Sequence, residues 1–219
     1  RARPLRPFVS RPPAWLRGTL SALPDFALAL FILSVWQDPL AHGDRMVGNL
    51  LLLMLLEFII VHASGFMASI IHGPSDRLRK VGQLFLLGLL ESVFVGGFSL
   101  SFGAWWPLAS FWGLTVNRML GVLLNPPSDQ DNRIILGSQW AMSVVFYLGG
   151  VFLTLLGPVP RLGLTPDVMP RLGLTGGGIW IDQPWRVLAF GVTYFATQGA
   201  WALIVPFLFH GPESASRRA

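Results

Sequence analysis

The sequence predicts an all-α integral membrane protein: a bundle of about six transmembrane helices with both termini in the cytoplasm. Three observations predict it. Hydrophobic residues make up 53% of the 219-residue chain and charged residues only 12%, against about 25% charged in an ordinary soluble domain. Six stretches are apolar over the ~20 residues that a helix needs to cross a bilayer. Lys and Arg are shared unequally between alternate connections, as the positive-inside rule requires of a multi-pass protein.

Residues 1–18 hold five arginines and no acid. Pro4, Pro7, Pro12 and Pro13 spoil an amphipathic targeting helix, so this segment reads as a basic cytoplasmic tail that lies on anionic lipid. The first span is expected from Thr19 to Trp36 and the second from Val47 to Ile71. After Gly73-Pro74, Ser75 is the expected cap of a third span, Val81 to Leu100. The fourth runs from Trp105 to Leu124. After Asn125-Pro126-Pro127, Asp129 or Asp131 is expected to cap the fifth, Ile134 to Leu156, which completes a five-helix region over 19–156.

A Gly- and Pro-rich segment, 157–186, then carries PRLGLT twice, at 160–165 and 170–175. Two short copies do not make a solenoid, and the segment reads as an external loop that tolerates insertion. A sixth span is expected over 187–209, followed by a cytoplasmic tail, 210–219. On this layout eleven basic residues lie on the cytoplasmic side and four on the other, with Arg118 inside a helix. Trp36, Trp105, Trp106, Trp180, Trp185 and Trp201 fall near span ends or in the loop, the positions of an aromatic belt.

Several function classes lose their footing. The chain has no cysteine, so it holds no disulfide, thiolate metal site or iron–sulfur cluster. Its net charge of +5 resides in tails and short loops, where topology accounts for it without nucleic acid. The only lysine, Lys80, sits in a loop, the wrong place for a retinal Schiff base. No G-x-S-x-G is present. Gly176-Gly177-Gly178 is followed by no Lys-Ser/Thr, so it is no phosphate loop. His42, His72 and His210 lie at or beyond helix ends, which leaves His62 without a second haem ligand. Glu57 and His62 are five residues apart, about 140° around a helix, and lack the Glu-x-x-His spacing of a di-metal site. No cofactor, metal or catalytic residue is therefore assigned.

Polar groups at membrane depth remain. A charge at the centre of a spanning helix costs about 2.5–3.5 kcal/mol, yet the spans carry Asp25, Glu57, His62, Glu91 and Arg118. One reading pairs Glu91 or Asp25 with Arg118 to set helix register. The other notes that three carboxyls face one arginine, so a spare acid and His62 could form a proton relay. Small residues recur at four-residue spacing, Gly65 and Ser69 on the second span and Gly88, Ser92 and Gly96 on the third. They predict close packing of those two helices. Together these features lead to an expected function: a non-catalytic subunit of a larger complex in a bacterial inner (plasma) membrane, in contact with lipid and other membrane chains. The alternative is a small proton-linked transporter that uses the buried polar cluster.

The basic asymmetry makes a direct prediction. A reporter fused after Ala219 reads as cytoplasmic, and a cysteine at position 176 reacts with an impermeant maleimide in intact cells. Labelling only after lysis would contradict the assigned topology.

Overall fold

The computed structural model describes residues 13–124 and 130–209, and these are mostly helical, with no strand among them. Asp129, residues 1–12 and the C-terminal tail lie outside the described residues, and the first helix begins at Ala14, within the segment expected to be a tail. Six long helices follow in chain order: α1 (Ala14–Gln37), α2 (Met46–His72), α3 (Arg77–Ser101), α4 (Trp106–Leu124), α5 (Gln130–Leu156) and, after the short α6 (Ile179–Asp182), α7 (Pro184–Phe209). Five of them, all but α4, are long and apolar enough to cross a membrane. The 19-residue α4 falls outside that set because Asn117 and Arg118 lower its hydropathy. The chain is thus an all-α multi-pass membrane bundle.

Helix α2 is the shared wall of two cores. It is 27 residues long, about 40 Å, and buries residues on every side, the mark of a central helix. Its first half joins Ile32 of α1, Tyr147 of α5 and Phe190 and Tyr194 of α7 in one core. Its second half joins Leu84 and Val95 of α3 and Phe111 of α4 in the other. Helices α1 and α7 run antiparallel in close contact: a Cβ at Gly199 would stand 3.0 Å from the Phe26 ring, and one at Gly18 would stand 3.2 Å from the Leu203 carbonyl. Helices α3 and α4 form an antiparallel hairpin. Gly103 turns the chain at φ 61°, and at the far end Arg77 Nη1 donates to the Leu123 carbonyl at 2.9 Å.

Small residues mediate these approaches, but with partners other than those expected. Gly65 of α2 receives the Trp140 ring of α5, where a Cβ would meet it at 2.6 Å. Gly88 of α3 receives Thr115 and Trp112 of α4. Ser92 bonds the Gly88 carbonyl of its own helix, Ser69 is exposed, and nothing lies within 4 Å of a Cβ at Gly96. The expected α2–α3 zipper is therefore replaced by an indole seated on α2 and a tight α3–α4 pair. Spacing marks where helices can approach; the neighbour is decided by which bulky side chain arrives.

The 157–183 connection is a folded cap on the bundle. Leu164 and Leu172 are buried, and Trp180 and Ile181 pack against the core around α7. The two PRLGLT copies differ in backbone. In the first, Leu162 takes the positive φ and the Gly163 N–H donates to the Trp36 carbonyl at 3.1 Å. In the second, Gly173 takes it, in the left-handed region just after a 3₁₀ turn over Met169–Leu172. Trp36 and Trp185 are buried beneath the cap. The cap of α3 is Asp76, whose carboxylate accepts from Arg79 N at 3.0 Å, and not Ser75. Asp76 is the residue directly before the first turn, which is where a capping oxygen reaches the free N–H groups.

Gly65→Ala forces the Trp140 ring off α2 and lowers thermal stability by about 1–3 kcal/mol, the usual range for overpacking. Gly96→Ala, facing open space, leaves it unchanged. Unfolding followed in detergent by tryptophan fluorescence measures both; equal melting temperatures for the two variants would contradict the α2–α5 contact.

Candidate functional site

Polar side chains from three helices meet inside the first core. Tyr194 and Gln198 are four residues apart on α7 and so share a face. Ser143 and Tyr147 stand at the same spacing on α5, and Glu57 lies one turn beyond Met54 on α2. The Tyr194 hydroxyl donates to Glu57 Oε1 at 2.7 Å. Gln198 Nε2 donates to the Tyr194 oxygen at 3.1 Å and to Ser143 Oγ at 2.6 Å. The Ser143 hydroxyl donates in turn to the Gln139 carbonyl at 3.0 Å. Beside this chain the Tyr147 hydroxyl donates to the Met54 carbonyl at 2.7 Å. Tyr194 and Tyr147 are fully buried, 0% and 2% exposed, and their ring centroids are 5.5 Å apart.

The direction of these bonds limits what the network can do. A proton wire needs every member to accept on one side and donate on the other. The Gln198 amide nitrogen donates both ways and interrupts any path between Ser143 and Tyr194. What the network does is tie α2, α5 and α7 at one level and hold a single carboxyl group in an apolar interior.

The polar residues singled out from the sequence occupy three separate places. Glu57 is with Tyr194, and Asp25 of α1 is near enough for the two charges to interact. His62 lies elsewhere on α2, as its angular offset from Glu57 requires. Its Nδ1 donates to the Phe58 carbonyl at 2.7 Å, its ring leans on the Phe58 ring at 4.1 Å, and Glu91 of α3 is within electrostatic reach. Arg118 is the third. The expected pair with Glu91 or Asp25 does not form. Its guanidinium instead bonds Ser64 Oγ at 2.6 Å and Met67 Sδ at 2.8 Å, and it meets no carboxylate among the described residues. Gly65, Ser69, Gly88, Ser92 and Gly96 lie outside the network.

Sequence reasoning missed Tyr147, Tyr194, Gln198 and Ser143. A signal was present: the chain has two tyrosines, both lie in apolar spans, and each has a polar residue four positions away. Among the described residues, no group of three or more His, Asp or Glu side chains could hold a metal ion. No family model, curated protein or solved structure matches the chain.

Glu57 and Tyr194 should be energetically coupled. Glu57→Gln keeps a neutral acceptor for the tyrosine and is the milder change, whereas Tyr194→Phe strands both the carboxyl group and the Gln198 amide. A double-mutant cycle on unfolding in detergent is expected to give a coupling of roughly 0.6–1.7 kcal/mol, the range found for hydrogen bonds between membrane helices. Additive single-mutant effects would show that the bond carries no energy.

Proposed function

We propose that the chain is a non-catalytic integral subunit of a larger membrane complex, and that it meets its partner through α4. The observation that carries this reading is Asn117. It is exposed on α4, and by spacing it shares a face with Ser110 and Gly113, also exposed; nothing lies within 4 Å of a Cβ at Gly113. An amide directed at lipid tails loses its hydrogen bonds at a cost of several kcal/mol. A helix from another chain, packed closely over the small residues, restores them. The inward side of α4 is already occupied by α3 and by the Arg118 contacts to α2, and the amide has no side-chain partner among the described residues.

The α3–α4 hairpin supports the accompanying topology. Arg77 at the start of α3 bonds Leu123 at the end of α4, so α4 retraces the length of α3, which supports reading it as a sixth crossing. Six crossings put both termini on one side, and the basic tails and loops make that side the cytoplasm of a bacterial inner membrane.

A second reading, a small proton-linked carrier, draws on Glu57 and Asp25, two carboxyl groups within electrostatic reach of each other at membrane depth. The Gln198 amide, which interrupts a path from Ser143 to Tyr194, weighs against a continuous proton route through this core.

A photo-crosslinking residue at position 113 separates the two. The expected product is a crosslink to a different membrane chain that co-purifies at fixed stoichiometry, with recovery reduced roughly 5–30-fold in Asn117→Leu, the equivalent of about 1–2 kcal/mol. Crosslinks to lipid alone, together with proton flux in liposomes that Glu57→Gln abolishes, would replace the subunit reading with the carrier.

A further inference from the structure

An open groove of about 780 Å³ lies where the cap meets the ends of α5 and α7; Arg161, Asp182, Gln183, Trp185 and Arg186 line it, among others. Its two arginines are held in place rather than free. Arg186 donates from Nε to Gln183 Oε1 at 2.6 Å and from Nη1 to the terminal carbonyls of α5, including Leu155 at 3.0 Å and Gly157 at 3.1 Å. Its Nη2 bonds nothing among the described residues. Arg161 lies over the Trp185 ring, 4.5 Å from the centroid, and its guanidinium has no acceptor among the described residues. Asp182, exposed on the same lining, likewise has no side-chain partner there.

The setting is the edge of the bilayer. The Arg186 bonds fix the groove against the last turn of α5, whose Phe152, Leu153 and Leu156 are 60%, 63% and 85% exposed. A molecule seated in the groove therefore has charged groups at its head and an apolar helix face beside it. Two cations and one anion in a single lining match a zwitterion rather than a simple anion. Arg161 already covers the Trp185 ring, the surface on which a quaternary ammonium would stack. That leaves the Asp182 carboxylate, which favours a cation able to donate hydrogen bonds.

We propose that this groove is a headgroup site for a zwitterionic aminophospholipid, with the phosphodiester held by Arg161 and Arg186, the primary ammonium held by Asp182, and the acyl chains lying along α5. Phosphate chemistry favours planar, multi-donor arginine, and the cap, expected from the sequence to be an external loop, supplies both Arg161 and Asp182 to the site.

Native mass spectrometry of the intact chain, released from nanodiscs of equimolar phosphatidylethanolamine, phosphatidylglycerol and phosphatidylcholine, tests it. The expected spectrum retains phosphatidylethanolamine above the other two. Arg161→Ala lowers total lipid retention roughly five-fold, in line with about 1 kcal/mol per basic residue at a membrane surface, and Arg161→Lys restores part of it. Asp182→Asn keeps retention but loses the preference for phosphatidylethanolamine over phosphatidylglycerol. Melting temperature is recorded for each variant; Arg161→Gln replaces Arg161→Ala, and Asp182→Ser replaces Asp182→Asn, where the first choice unfolds. Soluble phosphoethanolamine at millimolar concentration should leave the bound lipid in place; displacement by it would mean that the site takes a free phosphate compound. Equal retention of all three lipids, or retention unchanged by loss of the Arg161 charge, would overturn the proposal.

Discussion

Lipid tails offer Glu57 no hydrogen bond, so its carboxyl group has to be met from within the bundle, and Tyr194 meets it at 2.7 Å. Much of the arrangement follows from that contact. To deliver its hydroxyl, Tyr194 must be fully buried, which sets the rotation of α7 against α2. On that rotation Gln198 faces Ser143 of α5, and Phe190 lies edge-on to Tyr147, with ring centroids 4.8 Å apart. The Tyr147 hydroxyl then reaches back to α2 at Met54. Membrane helices gain little from apolar contact alone, because lipid is equally apolar. A few oriented hydrogen bonds, with close packing at Gly65 and Gly199, therefore specify which helices meet.

Helix α2 carries this constraint through the whole structure. Its first half is locked by tyrosines from α5 and α7; its second half is bordered by α3 and α4 and is met by Arg118 through Ser64 and Met67. The two ends of the molecule differ in kind as a result. The cap end is closed by apolar side chains, Leu164 and Leu172, over buried Trp36 and Trp185, and by Arg186, which donates to carbonyls at the end of α5. The α3–α4 side keeps an exposed amide and open glycines on its outer surface, and this contrast is the physical basis for proposing a protein partner on one face and lipid on another.

How much of this the sequence disclosed depended on the kind of signal. Apolar length is additive along the chain, so the long helices could be read directly, and five have the apolar length to span. Pairing could not be read that way. Gly65 and Gly88 were recognisable as close-approach sites, but nothing local says that Trp140 and Thr115 are what approach them. Arg118 looked like a counter-ion on charge arithmetic; the fold places it instead beside a hydroxyl and a thioether. The PRLGLT repeat looked like a loop duplication, and identical words took different backbones because the Gly163 amide is bound to Trp36 and the Gly173 amide is not. Tyr194 and Gln198 went unnoticed because a tyrosine or glutamine in an apolar helix resembles an interfacial residue until its depth is known.

The central claim, that Tyr194 holds the Glu57 carboxyl group, can be read directly from the vibration of that carboxyl group. The chain has only three glutamates, so uniform ¹³C-carboxyl glutamate labelling gives a sparse infrared spectrum in which Glu57→Gln assigns one band. In lipid bilayers that band is expected to shift in Tyr194→Phe, while the Glu91 and Glu213 bands stay where they are. A Glu57 band with the same frequency in Tyr194→Phe as in the unaltered protein would contradict the account.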